Sequence, residues 1–405
     1  MPGPLEGIKV IDWTTQQMGP VASAMLGDLG ADVIKVEDRV RGDNGRGWTG
    51  IMGLAAFAKG GRNFYFEGNN RNKRGITLDI KKPQGQEVIY RLAKTADIFV
   101  QNFRPGAAEK LGIGYEDLKK HNPKIIFASA SGYGAKGPEA NRPATDPAGM
   151  ARSGMLIATS RYGMPPHYYP GAIADQMGAI MLAYGVLAAL VARERLGVGQ
   201  KVDTSHLGSM VWLQALNVHQ YLVQGRLPNQ WQRERVSNPI SNCYRCADDR
   251  WLFIGLSQAE RFWPDFCQAV GIEELRDDPH YATVKSRMEH REKLIGILDD
   301  VFASRTSIDW SEHFKKNYPE FIFEVVRSIA ELPQDPQVLD NDYIVDFNHP
   351  VYGTGKTLGI PIQLSATPGS LRRTAPEFGQ HTEEVLMEVG YTWEEIAQLK
   401  EAEVI

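Results

Sequence analysis

Short β-branched runs alternate with segments of helical spacing over the first third of the chain. Each run is short enough for one buried strand, and each intervening segment repeats apolar residues every three or four positions. Strands that alternate with helices predict an α/β fold, with a doubly wound, mostly parallel, Rossmann-like sheet. Strands are predicted at residues 7–12, 31–37, 75–79, 97–101 and 124–129. Helices are predicted at residues 20–29, 83–93, 106–111 and 115–120.

The pattern changes further along the chain. Two long helices are predicted over residues 172–195 and 205–224, and residues 242–256 have the pattern of a hairpin. Helices follow this hairpin at about 260–270 and 289–304, as expected for a smaller α+β domain. Residues 353–364 are again β-rich, and terminal helices are predicted at 382–389 and 392–401. These changes divide the chain into residues 1–203, a helical linker at 204–230, a small domain at 231–330 and a return segment at 331–405.

Composition narrows the classes of protein to consider. The formal net charge is −4, which favours neither nucleic acid nor an anionic membrane as a partner. Three cysteines in 405 residues argue for a reducing compartment, and the first residues lack the pattern of a secretory signal. The apolar segment 172–195 is long enough to approach a membrane span, but it carries Asp175 and Gln176 and is rich in Ala and Gly. We therefore predict a soluble, cytoplasmic protein with this helix in its core.

A strand-helix-strand start suggests a dinucleotide site, but the first turn does not fit one. Pyrophosphate binding at such a turn needs several glycines, so that main-chain N–H groups reach the ligand. The turn here runs from Trp13 to Gly19 with only that one glycine. Bound NAD is not expected.

Ordered motifs along nearly the whole chain carry a family resemblance. The motifs are PLEGIKVIDWT at 4–14, LGADVIKVE at 29–37, NKRGITLD at 72–79, NFRPG at 102–106, SGYG at 131–134, Ala174-Asp175, GVGQKV at 197–202 and GQHTEEVL at 379–386. Together they resemble the family III CoA-transferases, which include formyl-CoA:oxalate and carnitine CoA-transferases and are related to α-methylacyl-CoA racemases.

The resemblance implies an architecture and a class of reaction. It implies that residues 1–203 and 331–405 form one large domain around an inserted small domain, and that two chains interlock into a dimer. A hetero-oligomer with a related subunit stays open. The implied substrates are an acyl-CoA and a carboxylic acid, with coenzyme A as substrate and with no tightly bound cofactor and no metal.

Asp175 is the implied nucleophile. Its position in the first turn of an apolar helix favours an ionised carboxylate, although acids at such positions also simply start helices. The implied reaction passes through an aspartyl mixed anhydride and an aspartyl-CoA thioester. Gln17 matches a family position that faces the reacting centre, and a solvated loop glutamine is the alternative.

Further site residues follow from the same resemblance. Cations are needed for the phosphates of CoA, and aromatic residues suit its adenine and an acyl pocket. The expected CoA-binding residues are Lys73, Arg74, Asn102, Phe103, Arg104 and Arg39. The expected pocket residues are Trp48, Tyr133 and Tyr169. Other aromatic residues at 51–68 and 162–169 suggest a bulky acceptor such as a substituted succinate, with succinyl-CoA as donor, or else packing at a dimer contact.

Two other functions stay open. A racemase needs a second proton-exchanging group, and Thr145 stands where the related racemases have histidine. A non-catalytic CoA-binding subunit is the other alternative, against which Asp175 argues. Ser205 and His206 suggest a hydrolase only superficially, because adjacent helical residues face different directions, and His206 is expected to be structural.

Overall fold

The computed structural model describes residues 2–51, 54–57, 61, 63–227, 230–351 and 353–405. The chain forms two compact units. The first contains Met1–Ile157, Tyr168–Pro228 and Leu339–Ile405, and the second contains Ala158–His167 and Asn229–Val338. The residues predicted as a linker therefore belong almost entirely to the first unit.

A parallel six-stranded sheet forms the centre of the first unit, in the order β5-β2-β1-β6-β7-β8. This sheet confirms the predicted α/β, doubly wound class. The strands are β1 (Lys9–Trp13), β2 (Asp32–Glu37), β3 (Gly50–Ile51), β4 (Leu54–Ala55), β5 (Lys73–Thr77), β6 (Ile98–Gln101), β7 (Ile126–Ser131), β8 (Lys201–Ser205), β9 (Ser241–Arg245), β10 (Trp251–Gly255), β11 (Phe323–Val325), β12 (Ile344–His349) and β13 (Gly353–Leu358).

The order of the strands reverses at β1. The chain first adds β2 and β5 on one side of β1 and then adds β6, β7 and β8 on the other. In open parallel sheets a crevice forms at such a reversal, outside the carboxyl ends of the strands. The loops after β1 and β6 are therefore placed to build a ligand site.

Both units contain helices, which in the first unit cover both faces of the sheet. They are α1 (Met18–Asp28), α2 (Phe64–Asn70), α3 (Pro83–Thr95), α4 (Ala107–Lys110), α5 (Tyr115–His121), α6 (Asp146–Arg152), α7 (Met155–Ala158), α8 (Ile173–Leu196), α9 (His206–Leu213), α10 (Ala215–Gln224), α11 (Ala259–Val270), α12 (Val284–Glu289), α13 (Arg291–Phe302), α14 (Ser307–Asn317), α15 (Pro336–Asp340), α16 (Thr382–Glu388) and α17 (Trp393–Glu401).

Neighbouring residues of one strand serve the two opposite cores. Ile11 of β1 packs in a cluster with α3, α5, α16 and α17, whereas Val10 packs in a cluster with α1 and α8. This division follows from the alternation of side chains along a strand. The C-terminal helices α16 and α17 thus cover one face of the sheet whose strands come from the N-terminal part of the chain.

Helix α8 is long and apolar enough to cross a membrane by length and composition alone. One side of it is buried against the sheet and α1, through Ala179, Leu182 and Val186 among others. A helix with this packing belongs to the core, as predicted.

The second long helix is not continuous. The sequence predicts one helix over 205–224, but the structure has α9 and α10 with a break at Gln214. The amide nitrogen of Gln214 donates to the carbonyl oxygens of Met210 and Ser153. This side-chain contact with a neighbouring segment is a tertiary feature, so apolar spacing along the chain does not reveal it.

The second unit has its own core. Its sheet has the order β11-β10-β9, and β9 and β10 form the predicted hairpin. Helices α11, α13 and α14 pack on it with large aromatic residues, including Trp263 and Trp310. Cys243 and Cys246 lie on and just after β9 as free thiols.

Candidate active site

Asp175 lies in the first turn of α8, with its side chain 19% exposed. Its main-chain N–H donates to Asp146 Oδ1 at 3.0 Å. Asp146 thereby caps the helix from outside, which satisfies an N–H group that has no partner within the helix. The other oxygen of Asp146 accepts a hydrogen bond from the hydroxyl of Tyr168 at 3.2 Å. The main chain that carries Asp175 is therefore held by a fixed tertiary contact.

His206 contacts the Asp175 carboxylate directly. Its Nε2 lies 2.8 Å from Asp175 Oδ1, and the residue is 8% exposed. His206 is the first residue of α9, immediately after β8 ends at Ser205. Ser205 Oγ accepts the N–H of Gly208 and so caps α9. His206 was expected to be structural, and this contact makes it a candidate site residue as well.

A cavity of about 620 Å³ opens over the Asp175–His206 pair. Six of the residues predicted from the sequence line it. Tyr65 and Tyr168 also line it and come from the aromatic segments 51–68 and 162–169, whereas Asp146, Thr145, Arg142 and His206 line it without having been predicted as pocket residues. The six predicted residues are Asp175, Gln17, Trp48, Asn102, Phe103 and Arg104.

Two buried ions hold the loop that presents Gln17. Asp43 Oδ2 pairs with Lys35 Nζ at 2.7 Å, and both side chains are fully buried. Asp43 Oδ1 accepts the main-chain N–H of Gln16 at 2.9 Å and the hydroxyl of Thr15 at 2.9 Å. Gln16 has φ +67°, in the left-handed region, and these contacts hold it there. Gln17, 8% exposed, then immediately precedes α1 at the wall of the cavity.

Asn102 has a positioning role in this geometry. Its Oδ1 accepts the N–H of Thr15 at 2.9 Å, and its Nδ2 donates to the carbonyl oxygen of Thr15 at 2.8 Å. It therefore ties the loop after β6 to the loop after β1. The next residue, Phe103, packs on Trp13 with ring centroids 4.1 Å apart.

Three of the predicted phosphate-binding cations have protein partners instead. Lys73 is fully buried and pairs with Asp12 at 2.7 Å, and burial lowers the pKa of Lys73 to about 8. Arg74 is bound by Asp32, Glu384 and Glu388.

Arg39 donates to the carbonyl oxygen of the terminal Ile405 and pairs with Glu403. This placement does not support Lys73, Arg74 or Arg39 as phosphate ligands, because protein acceptors already occupy them.

Arg104 differs from these three. Its side chain is exposed, lines the cavity and has no hydrogen-bond or ion-pair partner among the described residues. It is therefore the predicted cation that remains available to a ligand.

Two predicted pocket residues lie outside this cavity. Tyr169 is 50% exposed and Tyr133 packs under Arg142, and neither is among the residues that line it. The neighbouring Tyr168 faces the cavity instead. Tyr65 stacks on Trp48 with centroids 5.1 Å apart and forms another part of the wall. The one-residue difference between Tyr168 and Tyr169 is beyond what the spacing of a loop can specify.

Burial and the neighbouring carboxylates shift the pKa values of the acids and phenols around Asp175. Burial and the charge of Asp175 raise the pKa of Tyr65 well above its usual range, so Tyr65 stays protonated. Burial and Asp146 raise the pKa of Tyr168 to about 12. Burial also raises the pKa of Asp146, against the effect of the N–H of Asp175. The wall around Asp175 thus offers phenolic O–H groups and no described lysine.

A second groove of about 300 Å³ adjoins the carboxyl ends of β1, β2 and β5. Phe103 lines both this groove and the cavity over Asp175. Arg41 and Lys81 are exposed cations on the wall of the groove. The sequence reading missed both, because a single exposed cation in a loop carries no distinguishing pattern.

His206 is the other functional candidate that the sequence reading missed. One signal was present in the sequence, since His206 follows the short segment KVDTS at 201–205, which forms β8 of the parallel sheet. Polar residues at that end of a parallel sheet are placed toward the ligand crevice.

Comparison with known proteins agrees with this architecture. A sequence model described as CoA-transferase family III matches residues 5–382. The chain is 31% identical over 404 residues to (R)-2-hydroxy-4-methylpentanoate CoA-transferase of Clostridioides difficile, with 99% of each chain covered. It is 33% identical over 387 residues to succinyl-CoA:glutarate CoA-transferase of Mus musculus, covering 95% of this chain and 86% of the mouse protein. A crystal structure of a CAIB/BAIF family protein from Brucella suis superposes with a TM-score of 0.82 at 27% identity, covering 96% of this chain and 100% of the other.

Proposed function

Since the chain belongs to CoA-transferase family III and is an enzyme of the CoA-transferase type, we propose that Asp175 carries the transferred groups covalently. The main support for this proposal is that the Asp175 carboxylate lies at the wall of the 620 Å³ cavity. One of its oxygens, Oδ1, lies 2.8 Å from Nε2 of His206. The other oxygen, Oδ2, has no hydrogen-bond partner in the described ranges of the chain. A carboxylate that is fixed through one oxygen and open at the other suits nucleophilic attack.

The reaction proceeds in four attacks. Asp175 attacks the carbonyl carbon of the donor thioester, which forms an acyl-aspartyl anhydride and releases CoA thiolate. The thiolate attacks the side-chain carbon of Asp175, and the donor acid leaves. The acceptor carboxylate then attacks the aspartyl-CoA thioester and releases the thiolate again. The thiolate finally attacks the acceptor carbonyl, which forms the new acyl-CoA and restores the Asp175 carboxylate.

The cavity wall supports this chemistry in two ways. Gln17 and the phenol of Tyr65 supply polar hydrogens close to the start of α8, where negative charge develops on substrate oxygens. The stacked rings of Trp48 and Tyr65 limit access of water, which would hydrolyse the anhydride.

Coenzyme A is assigned to the two cavities that share Phe103. Its thioester end lies in the cavity at Asp175, and its nucleotide end extends toward the second groove. Arg104, Arg41 and Lys81 are exposed cations along this path, and guanidinium and ammonium groups are the usual partners of phosphate.

The acceptor assigned to this site is a small organic acid with an apolar or second acidic group. Trp48, Tyr65 and Tyr168 give the cavity aromatic walls, and Arg142 is exposed at its lining. We take succinyl-CoA as the donor, the example suggested together with a substituted succinate, and the mouse relative is named for the same donor.

The geometry does not favour racemisation. Two bases on opposite sides of a carbon must each reach it at hydrogen-bond distance, so the carbon lies between them. His206 and Asp175 are already in contact at 2.8 Å and leave no room for one. Thr145, which stands at the position of the racemase histidine, lines the cavity without an ionisable group.

We also assign this chain to a homodimer in the cytoplasm. Helices α8 to α10 expose many large apolar side chains in the single chain, including Trp212, Leu216, Leu222 and Val223, each more than half exposed. The cysteines are free thiols, as suits a reducing compartment. Light scattering on the purified protein is expected to give the mass of two chains, and Leu222→Glu is expected to shift it toward one.

The proposed function is tested on the wild type and on Asp175→Asn, which keeps the side-chain shape without the nucleophile. Each protein is mixed with succinyl-CoA and the reaction is quenched. Mass spectrometry of the intact protein then detects adducts, and peptide sequencing locates the modified residue. We expect succinyl and CoA adducts at Asp175 in the wild type only. Transfer to an added acid by Asp175→Asn at the wild-type rate would overturn the proposal. Deuterium uptake at the α-carbon of a 2-methylacyl-CoA would support racemisation instead.

A further inference from the structure

The imidazole of His206 has its two ring nitrogens in opposite environments. Nε2 lies 2.8 Å from Asp175 Oδ1. Nδ1 is buried and has no hydrogen-bond partner within the described parts of the chain. A buried N–H without an acceptor is costly, whereas a neutral imidazole can leave a lone pair at that atom. The arrangement therefore assigns the ring proton to Nε2, which donates to Oδ1.

This hydrogen bond makes the two oxygens of Asp175 chemically different. Oδ1 accepts the proton of His206, whereas Oδ2 is without a partner in the described ranges and is the freer nucleophile. When Oδ2 attacks the donor, the acyl group is bound to Oδ2. Oδ1 then becomes the carbonyl oxygen of the Asp175 acyl group, and it still faces Nε2–H.

We propose that His206 is the oxyanion donor for the two steps in which Asp175 is itself the electrophile. This inference rests on the proposed function. In the first of these steps CoA thiolate adds to the side-chain carbon of Asp175, and the electron pair of the C=O bond moves onto Oδ1. The Nε2–H donor, already 2.8 Å away, stabilises that charge. The C–Oδ2 bond then breaks, and the donor acid leaves as a carboxylate with that oxygen.

The second step runs through the same oxygen. The acceptor carboxylate adds to the same carbon of the aspartyl-CoA thioester, and charge again collects on Oδ1. The C–S bond breaks and the thiolate leaves with its electron pair. The proton of His206 stays on Nε2 throughout, so no proton needs to enter or leave.

The other two steps make no demand on His206. In them the tetrahedral carbon belongs to the donor or to the acceptor, so charge develops on a substrate oxygen. The proposal therefore divides the reaction into inner steps that need His206 and outer steps that do not. That division is what an ordinary structural histidine would not produce.

The packing around His206 keeps the donor in place before the reaction begins. A Cβ atom on Gly149 of α6 would lie 2.6 Å from the Cβ of His206 and 3.3 Å from the Cβ of Ala174. The absence of a side chain at Gly149 thus lets α6 pack directly against His206 and the start of α8. A donor that is already fixed costs no reorganisation when charge appears.

A general-base role fits the same geometry poorly. A base that activates water must present a nitrogen lone pair to the cavity. The lone pair of His206 lies on the enclosed Nδ1, and the cavity side of the ring carries the proton on Nε2. The site is thus arranged for donation rather than for proton abstraction.

The test compares His206→Leu, which removes the donor, with His206→Gln, whose amide N–H reaches a similar position. His280→Leu in the second unit is the matched control, since His280 is exposed and lies outside the cavity lining. Each protein is mixed with succinyl-CoA and quenched over time. Intact mass then separates the succinyl-enzyme of the outer step from the CoA-enzyme of the inner step.

We expect His206→Leu to form succinyl-enzyme within about threefold of the wild-type rate and CoA-enzyme about 10²–10³-fold more slowly, so the succinyl form accumulates. His206→Gln should recover much of the inner rate, and His280→Leu should match the wild type. Formation of CoA-enzyme at the wild-type rate in His206→Leu would overturn the inference, and so would equal slowing of both adducts in the Leu and Gln variants. If the wild type forms neither adduct, the proposed function itself has failed.

Discussion

The carboxylate of Asp146 accepts the main-chain N–H of Asp175 at 3.0 Å and so caps the helix on which the reacting side chain stands. The two residues are 29 positions apart in the chain, and the cap comes from the first residue of α6 rather than from the segment before α8. The residue that precedes α8, Ala172, has φ +49° and no side-chain acceptor. The helix start therefore depends on Asp146 for this hydrogen bond.

Asp146→Ala is expected to lower both stability and transfer activity. Loss of a cap costs about 1 kcal/mol of unfolding free energy, and a displaced nucleophile loses up to about 10²-fold in kcat. Asp146→Asn keeps an oxygen acceptor and should lose less in both measurements. Urea unfolding and steady-state kinetics provide the readouts. Equal kcat values for the Ala variant and the wild type would show that the cap does not position Asp175.

Asp43→Asn is expected to destabilise the protein strongly near neutral pH. The substitution leaves the ammonium of Lys35 buried without its ionic partner, which costs about 3–5 kcal/mol. Asp117→Asn is the matched control, because its partner Lys120 is exposed and such pairs contribute about 1 kcal/mol or less. Urea unfolding at pH 7 compares the two losses. Similar losses in both variants would contradict the prediction.

The loss in Asp43→Asn should also depend on pH in one direction. Burial opposes ionisation, but Lys35 and two main-chain N–H groups hold the pKa of Asp43 below its ordinary value of 3.8. An acid whose pKa is lowered by folding stabilises the folded state fully above the unfolded pKa and loses that contribution as pH falls through the folded pKa. The stability difference between wild type and variant should thus be largest above pH 3.8 and shrink below it. A difference that grows with acid would contradict this sign.

Arg104→Ala is expected to raise KM for acyl-CoA about tenfold or more. A hydrogen bond to a charged group contributes about 1.5–3 kcal/mol, and 1.4 kcal/mol corresponds to a factor of ten. Arg39→Ala is the comparison, since Arg39 contacts Ile405 and Glu403 rather than the cavity. Its KM should stay within about twofold of the wild type. The assignment fails if Arg39→Ala raises KM and Arg104→Ala does not.

Gly149→Ala is expected to disturb the Asp175–His206 pair. The added Cβ would meet the Cβ of His206 at 2.6 Å, so α6 must move away. Overpacking of this kind costs about 1–3 kcal/mol. Gly296→Ala in α13 is the control, since its Cβ meets nothing within 4 Å and should stabilise its helix by about 0.5–1 kcal/mol. Thermal unfolding should show a lower melting temperature for Gly149→Ala and a higher one for Gly296→Ala. Slower formation of the CoA adduct in Gly149→Ala would link the packing to the reaction.

The elements of the sheet were predictable because each is encoded locally. The apolar runs around Val10, Val33 and Ile98 need no partner to be recognised as strands, and all three lie in the parallel sheet. Asp175, Gln17 and Arg104, which the motifs predicted as site residues, line one cavity in the structure. A motif predicts a site residue successfully when the strand order places that motif at the crevice of the sheet.

The role of a charged side chain was not predictable in the same way. Lys73 and Arg104 are both basic residues in polar motifs beside a strand. Lys73 is buried and forms an ion pair with Asp12, which lies two strands away in the sheet. Arg104 instead lines the cavity without such a partner among the described residues. Which of them is free depends on where the nearest carboxylate folds, and the local sequence does not contain that distance.

By itself the sequence determined the strands and helices, the class of sheet and the candidate nucleophile, because apolar periodicity and ordered motifs are properties of neighbouring residues. Only the tertiary structure decided that His206 contacts Asp175 and that Asp146 caps the helix carrying Asp175. It also decided that Lys73, Arg74 and Arg39 pair with carboxylates of the protein. Each of these is a contact between side chains from distant segments. Such contacts exist only after the sheet has set the order and spacing of the strands, since hydrogen bonds and ion pairs act over a few ångströms in space and not along the chain.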